Sequence, residues 1–446
     1  MTERLFGTDG VRGRAGEYPL DPPTVARLGA AIVRALPPAG PRHRLLVGRD
    51  TRESGVWLER ELVRGARSAG AIVTSAGVMP TPAVAYLTRA MEFDVGVVIS
   101  ASHNPFEDNG IKVFAGGGEK VDDELEAHIE ALLADPSWQV GPEQGPPVEQ
   151  RDFVAAYIAH ARTALPDLTA LRRSRIVIDC ANGATTPVAP RLFRELGFNV
   201  TAIHAEPDGR NINAGCGSTH LDSLVDAVRA GGFRLGIAFD GDGDRCLLVD
   251  HTGRIVDGDA IMLVCAKHLK RHGELRGNEI VATVMSNIGL EIALRQEGLG
   301  LVRTPVGDRY VMEELIRRNL SLGGEQSGHV IFTDFLFTGD GLVTALNVLR
   351  VMAETGGELA ELAAEYVPYP QVLVNVPVRQ RRDLGEIAAL ADAMAALEAE
   401  LAGQGRLLVR YSGTEPLLRI MIEGTDQRHI EQMAHGFADL VRQHLA

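Results

Sequence analysis

Val98-Ile-Ser-Ala-Ser-His-Asn-Pro-Phe106 closes a run of β-branched residues on a turn of small polar ones. The apolar run from Val95 to Ile99 has the composition of a buried parallel strand. The turn after it therefore lies at a strand's carboxyl end, where open α/β sheets bind their ligands. His103, Asn104 and Pro105 make the turn a stiff polar loop, because Pro105 biases Asn104 away from helical geometry. Ser102 is thereby the candidate reactive hydroxyl, a nucleophile or a phosphate carrier. Small polar residues after a strand also suit a plain turn or helix cap, so a chemical role needs partners elsewhere in the chain.

Outward from that strand the pattern alternates. Helix is predicted from about Thr24 to Leu36, strand at Leu45 to Val47, helix from Ser54 to Ser68, strand at Ala71 to Thr74 and helix from Pro82 to Ala90, the signature of a sheet covered on both faces. The rhythm of strand, glycine turn and helix returns at Arg175-Ile-Val-Ile-Asp179 and again at Ile280 to Met285, which points to an internal structural repeat. Pro-rich Gly141-Pro-Glu-Gln-Gly-Pro-Pro147 reads as a linker, and Tyr366-Val-Pro-Tyr-Pro370 as a stiff hinge. Beyond the hinge, strands and helices share about 75 residues in an order that fits a small α+β domain. The expected fold class is α/β: three similar mixed-sheet α/β domains at 1–146, 147–254 and 255–366, and a smaller C-terminal α+β domain at 367–446.

The 446 residues exceed one core and suit several domains. A net charge of -14 argues against a general nucleic-acid or membrane binder, while one local basic pocket still allows an anionic substrate. The first residues lack the basic start and apolar core of a signal peptide, and no stretch approaches 18 uninterrupted apolar residues, so a cytoplasmic location is expected. Cys180, Cys216, Cys246 and Cys265 lie far apart and fit free thiols.

Four further stretches carry chemistry. Asp240-Gly-Asp-Gly-Asp-Arg245 places three carboxylates at alternate positions after an apolar strand. The intervening glycines let one loop converge them, and their mutual repulsion calls for a cation such as Mg²⁺. The EF-hand spacing is missing. Arg245 is free to balance the cluster or to touch a phosphate. Gly323-Gly-Glu-Gln-Ser-Gly-His329 offers Glu325, Ser327 and His329 to the hydroxyls or amine of a polar small molecule, although its glycines also suit an ordinary turn. Arg410-Tyr-Ser-Gly-Thr-Glu-Pro-Leu-Leu-Arg419 combines two guanidinium groups with Ser412, Gly413 and Thr414, a nest for a phosphate that does not react. It is not a P-loop, so ATP use has no support. Phe6-Gly-Thr-Asp-Gly-Val-Arg-Gly13 is a tight turn holding Arg12 as an anion clamp. Lys112 is a cation ten residues after Ser102, and Asp308 and Arg309 open a helix, with Arg309 counted among the substrate-binding candidates.

In these motifs, which occur in order across essentially the whole chain, the sequence resembles the α-D-phosphohexomutase superfamily. The opening turn, the Ser-Gly-Thr-Glu-Pro form of the last loop and the length tilt the likeness to the glucosamine branch, away from phosphomannomutases and phosphoglucomutases. The resemblance implies four domains around a central cleft, a phosphoserine at Ser102, and one Mg²⁺ per active site held by Asp240, Asp242, Asp244 and the seryl phosphate. It implies that Arg12, Lys112 and Arg245 surround the reacting phosphate, with Lys112 and His329 helping proton transfer. Glu325 and Ser327 then read sugar hydroxyls, and Arg410, Ser412, Thr414 and Arg419 clamp the distal phosphate. Tyr411 stands where relatives often carry a smaller or basic residue, which leaves that loop's hydrogen bonds open. The implied reaction interconverts glucosamine 6-phosphate and glucosamine 1-phosphate, with glucosamine 1,6-bisphosphate as intermediate or primer. The alternatives are a glucose or mannose phosphate mutase and a catalytically silent sugar-phosphate-binding protein. A phosphorylated amino sugar is the implied partner, and a homodimer, common among relatives, stays open.

Overall fold

Residues 4–7, 9–38, 40–165, 169–412 and 416–445 are described by the computed structural model. Their contacts divide the chain into two units, Met1–Thr283 with Leu301–Ala364, and Val284–Gly300 with Glu365–Ala446.

The first unit is built on three mixed sheets. In the first, Val95–Ile99 lies parallel to Arg44–Arg49, which is parallel to Ile72–Val78. Strand Asp108–Ala115 returns antiparallel to Val95–Ile99, and Val11–Arg14 pairs antiparallel with it in turn. The return strand is absent from the sequence reading, because it opens on Asp108, Asn109 and Gly110, residues poor in strand propensity. Its register sets Lys112 opposite Val98. Helix Pro22–Ala35 begins two residues earlier than expected: Asp21 accepts a hydrogen bond from Thr24 N at 3.1 Å and prolines fill the first turn, so the start is capped. It crosses helix Glu53–Ser68 closely through two glycines. A Cβ on Gly29 would meet the Leu62 carbonyl oxygen at 2.0 Å, and one on Gly65 the Ala26 carbonyl oxygen at 1.8 Å. Leu28, Ile32, Leu58 and Leu62 from this pair pack with Val47, Val97 and Ile99 in the first core. Strand Glu149–Gln150 adds an edge to this sheet beside Ile72–Val78, beyond the Pro-rich stretch.

In the second sheet Arg175–Asp179 is parallel to Asn199–Ile203 and to Leu235–Phe239, and Cys246–Asp250 returns antiparallel to Leu235–Phe239. In the third, Glu279–Thr283 is parallel to Leu322–Gly324, and Val330–Phe332 returns antiparallel. One device therefore recurs three times: a strand of the parallel set, a loop, and an antiparallel partner. The loops are Ser100 to Glu107, Asp240 to Arg245 and Glu325 to His329, the motif stretches themselves. The rhythm of strand, glycine turn and helix read from the sequence falls on other strands of the second and third sheets, Arg175–Asp179 and Glu279–Thr283.

The second unit holds a three-stranded antiparallel sheet in the order Gln371–Pro377, Leu417–Gly424, Gly405–Tyr411, with helices Ala388–Leu401 and Gln427–Leu445. Val376, Leu418, Ile420, Ile422 and Phe437 form its core. Helix Ile288–Gln296 also belongs to it, and Ile288 N donates to the buried Glu423 carboxylate at 3.1 Å.

Candidate active site

Ser102 is 1 % exposed and sits at φ 53°, a left-handed conformation that serine rarely adopts. What holds it there is a set of hydrogen bonds. Ser102 N donates to Ser100 Oγ at 2.9 Å, and Ser100 Oγ donates to Asp50 Oδ2 at 2.6 Å. The Ser102 carbonyl accepts from Arg52 at 3.2 Å and from Asn213 Nδ2 at 2.9 Å. The same two side chains reach the Asn104 carbonyl, at 2.6 and 3.1 Å. Arg52 is fully buried against Asp50. Strain of about 1–3 kcal/mol at such a residue persists only where the surroundings over-determine it, and this backbone is pinned from two sheets.

Held in this way, Ser102 Oγ donates to Asp240 Oδ2 at 2.6 Å and lies 3.3 Å from His103 Nδ1. Asp240 Oδ1 accepts from the N–H groups of Gly243 and Arg245. Thr81 clasps Asp242 from helix Thr81–Ala90, its N–H on the Asp242 carbonyl and its hydroxyl on Oδ2 at 2.5 Å. The three aspartates are buried, and a carboxylate oxygen from each lies within 4.8 Å of the others. Asp242 Oδ1 and Asp244 Oδ1 are buried with no hydrogen-bond partner. Hard oxygen donors left unsatisfied on one side of a loop are what a divalent cation takes as ligands, so these residues fit one. Burial, Asp244 and Asp242 push the Asp240 pKa well above the usual carboxylate range, the strain that a bound cation relieves.

Lys112 closes the other side of the cluster. It is 1 % exposed, and its Nζ lies 2.9 Å from Asp242, 3.0 Å from Asp9 and 3.4 Å from Asp244. Burial opposes its charge, but the three carboxylates win and raise its pKa well above that of a free lysine. Lys112 is accordingly a fixed cation. Asp9, half-buried, is held charged by Lys112, Lys120 and Arg12, and Lys120 also pairs with Asp308. His329 lies 3.6 Å from Asp244 and 3.5 Å from Asp308. Burial disfavours its charge, yet Asp244, Asp308 and Glu325 raise its pKa to about 9. The N–H of Gly339, aimed at Nε2 from 3.0 Å, opposes that protonation, since a doubly protonated ring cannot accept it.

These groups open on a cleft of about 440 Å3 whose wall includes Arg12, Ser102, His103, Asp244, Arg245, Glu325 and His329. Arg12 Nε and Arg245 Nε are buried without hydrogen-bond partners, so the wall keeps donors in reserve for an anion. Burial and the two guanidinium groups lower the His103 pKa to about 4, which keeps that ring neutral. Glu325 accepts from Gly307 N at 3.3 Å and from Ser327 Oγ at 3.4 Å, so the two sugar-reading candidates touch. Arg309 does not join them. Its guanidinium is paired with Glu126 at 3.0 Å and Glu313 at 3.0 Å, and it does not line the cleft.

In the second unit Arg410 and Arg419 face each other across strands Gly405–Tyr411 and Leu417–Gly424. Burial and Arg419 lower the Arg410 pKa, the effect of two cations set side by side. Arg419 reaches Ser412 Oγ at 3.3 Å, and Arg381, which sequence reading passed over, donates to the Ser412 carbonyl at 2.6 Å. Tyr411 turns its hydroxyl onto the Arg382 backbone. Gly413 and Thr414 lie outside the described residues.

Sequence reading also missed Asp9 as a partner of Lys112, and Lys120, Thr81, Asp50, Arg52 and Asn213. The charged run Arg49-Asp-Thr-Arg52 directly after a strand was a usable signal for two of them. Asn213 sits in a loop whose asparagines carry no pattern that points to Ser102.

Family models for the α/β/α domains I, II and III and the C-terminal domain of phosphoglucomutase/phosphomannomutase match residues 3–139, 155–253, 257–369 and 373–440. The chain belongs to the phosphoglucomutase/phosphomannomutase family, three α/β/α domains followed by a smaller C-terminal one. Its curated relatives narrow the likeness. It is 48% identical over 443 residues to a phosphoglucosamine mutase of Pseudomonas putida, covering 99% of each chain. It is 50% identical over 442 residues to a phosphoglucosamine mutase of Rhodococcus jostii, covering 98% of this chain and 99% of that one. Among solved structures, a phosphoglucomutase/phosphomannomutase family protein of Burkholderia thailandensis matches with a TM-score of 0.81 at 25% identity, over 99% of this chain and 98% of that one. The open form of the phosphoglucomutase parafusin of Paramecium shares the fold, with a TM-score of 0.78 at 17% identity over 99% and 96% of the two chains. Among the described residues no helix is long and apolar enough to cross a membrane.

Proposed function

We propose that the protein is a phosphoglucosamine mutase, an isomerase that interconverts glucosamine 6-phosphate and glucosamine 1-phosphate in the cytoplasm. The observation that carries this reading is the buried Ser102 hydroxyl, 2.6 Å from the first of three clustered aspartates on the wall of a cation-lined cleft. The full-length likeness to phosphoglucosamine mutases supports the choice of sugar. Domain boundaries at 1–146, 147–254, 255–366 and 367–446 and assembly as a homodimer accompany the proposal.

In the forward direction the seryl phosphoryl group leaves Ser102 Oγ for the anomeric hydroxyl of glucosamine 6-phosphate. The P–O bond to serine breaks, the bond to O1 forms, and the proton lost by the sugar hydroxyl is made good at Ser102 Oγ, which leaves as the hydroxyl. Glucosamine 1,6-bisphosphate results. After it turns end for end, the P–O bond to O6 breaks as the bond to Ser102 Oγ forms, the serine proton passes to O6, and glucosamine 1-phosphate is released. Asp240, Asp242 and Asp244 would hold Mg²⁺, which when bound screens charge developing at phosphorus. Arg12, Arg245 and the fixed cation Lys112 act on the same charge, and preorganised cations cost no rearrangement at the moment of transfer. His329 faces the cleft as a helper in proton transfer. Glu325 and Ser327 orient the sugar, while Arg410, Ser412 and Arg419 grip the phosphate that is not transferring, with Gly413 and Thr414 in the same proposed loop. Arg309 stays in the proposal only as a support of the wall through Glu126.

Turnover of the 6-phosphates of glucosamine, glucose, mannose and N-acetylglucosamine by one preparation tests the assignment. The expected result is the highest kcat/KM on glucosamine 6-phosphate. Preference for a neutral hexose phosphate would overturn the choice of sugar, and release of inorganic phosphate in place of isomer would overturn the mutase reading.

A further inference from the structure

His268 and His272 stand four residues apart at the end of helix Gly258–Arg271, and therefore on one face. Glu354 meets them from the last turn of helix Gly341–Thr355. Its Oε2 lies 3.2 Å from His268 Nε2 and 3.3 Å from His272 Nε2. His268 is 4 % exposed, yet its Nε2 makes no hydrogen bond: the distance to Glu354 is right and the direction is wrong. Such geometry belongs to atoms that share a third partner. In a tetrahedral site with ligands at about 2.0–2.1 Å, neighbouring ligand atoms sit about 3.3–3.4 Å apart while their lone pairs converge on the centre and miss one another.

We infer that His268, His272 and Glu354 form a second metal site, specific for Zn²⁺ or a similar transition-metal cation, separate from the aspartate cluster. Two imidazoles and one carboxylate are a recurrent three-ligand zinc set that leaves a fourth position for water. The surroundings favour it. Arg350 Nε holds Glu354 Oε1 at 2.9 Å, which turns Oε2 toward the histidines, and Arg350 is neutralised in turn by both oxygens of Glu274. Two helix C-termini converge there, and each carries partial negative charge. The His272 side chain is 44 % exposed and supplies the entry path. Mg²⁺ prefers an all-oxygen site and does not compete here. The other mixed cluster among the described residues, Asp179 with His204 and Cys216, is different: Asp179 Oδ2 already accepts from His204 Nδ1 at 3.0 Å and from Gly217 N at 2.9 Å, so it braces its loop.

The test compares the full-length wild type with His272→Ala, both stripped with chelator and then saturated with Mg²⁺, in calorimetric titrations with Zn²⁺ and in thermal melts. All other candidate ligands are common to the two proteins, so the difference isolates this site. Wild type is expected to bind one more equivalent of Zn²⁺ than His272→Ala, and its Tm to rise with Zn²⁺ where that of the variant does not. Glu354→Gln, which keeps an oxygen for Arg350, is expected to weaken that equivalent at least tenfold. The two substitutions need only match wild type in circular dichroism without Zn²⁺ for the comparison to stand. Equal Zn²⁺ stoichiometry and an equal Tm response in wild type and His272→Ala would overturn the inference.

Discussion

Gly241→Ala adds one methyl group beside the reactive serine. An ideal Cβ at that position lies 2.6 Å from the Ser102 carbonyl oxygen, 2.7 Å from Asn213 Nδ2 and 2.9 Å from Ile212 Cδ1. Carbon and carbonyl oxygen approach no closer than about 3.3 Å in ordinary contacts, so the carbonyl or the glycine loop must yield by about 0.7 Å. Both are tethered, the carbonyl by Arg52 and Asn213 and the loop by Thr81. Misplacing a reacting group by about 1 Å costs about a hundredfold in rate, so kcat should fall about 10- to 100-fold, or about 1.4–2.8 kcal/mol in the barrier. Overpacking should lower stability by about 1–3 kcal/mol, which a urea melt registers separately. A coupled assay of isomer formation gives kcat. Asn213→Ala relieves one side of the crowding while removing two hydrogen bonds, so the double variant should lose less than the sum of the singles. A Gly241→Ala enzyme within threefold of wild-type kcat, with an unchanged melt, would refute the claim that this loop fixes the Ser102 backbone.

Arg419→Ala removes one of the paired guanidinium groups and should raise KM for the sugar phosphate about tenfold or more, with a smaller change in kcat; unchanged constants would take Arg419 out of phosphate binding. Asp340, the N-cap of helix Gly341–Thr355, accepts from Tyr157 Oη at 2.9 Å and from Val343 N at 3.0 Å, and burial raises its pKa to about 6. The folded state then binds a proton more tightly than the unfolded chain. Its contribution to stability is full below about pH 4 and is lost as pH rises through 6, on the order of 3 kcal/mol across that window. Asp340→Asn keeps the accepting oxygen and abolishes this titration, so urea melts should show the variant gaining on wild type between pH 4.5 and 7.5; parallel pH profiles would contradict it.

Part of the site was legible because the Ser102 and Asp240 loops follow the apolar runs Val95–Ile99 and Leu235–Phe239, and a parallel strand delivers its loop to the ligand-binding end of a sheet. The positions of Ser102 and Asp240 follow from that rule, whereas the strand before Glu325 is only Leu322–Gly324 and carries no β-branched residue. The position of Lys112 does not follow from it. It depends on a return strand that begins with Asp-Asn-Gly, and on a cluster that collects Asp9 with Asp242 and Asp244 from segments far apart in sequence. Arg309 marks the opposite failure. A cation at the start of a helix looked available, and Glu126, 183 residues away, had already engaged it. The support of Ser102 was hidden for the same reason, since Asn213 and Arg52 act across 111 and 50 residues. Local pattern locates loops, and long-range pairing decides which of their charges remain free.

The central claim is that Ser102 carries the phosphoryl group from one sugar to the next. Protein bearing radiolabelled phosphate on Ser102, mixed in a single turnover with unlabelled glucosamine 6-phosphate and Mg²⁺, should lose its label to the sugar, first as bisphosphate and then as monophosphate. Label that stays on the protein while isomer forms, or that appears only as inorganic phosphate, would contradict it.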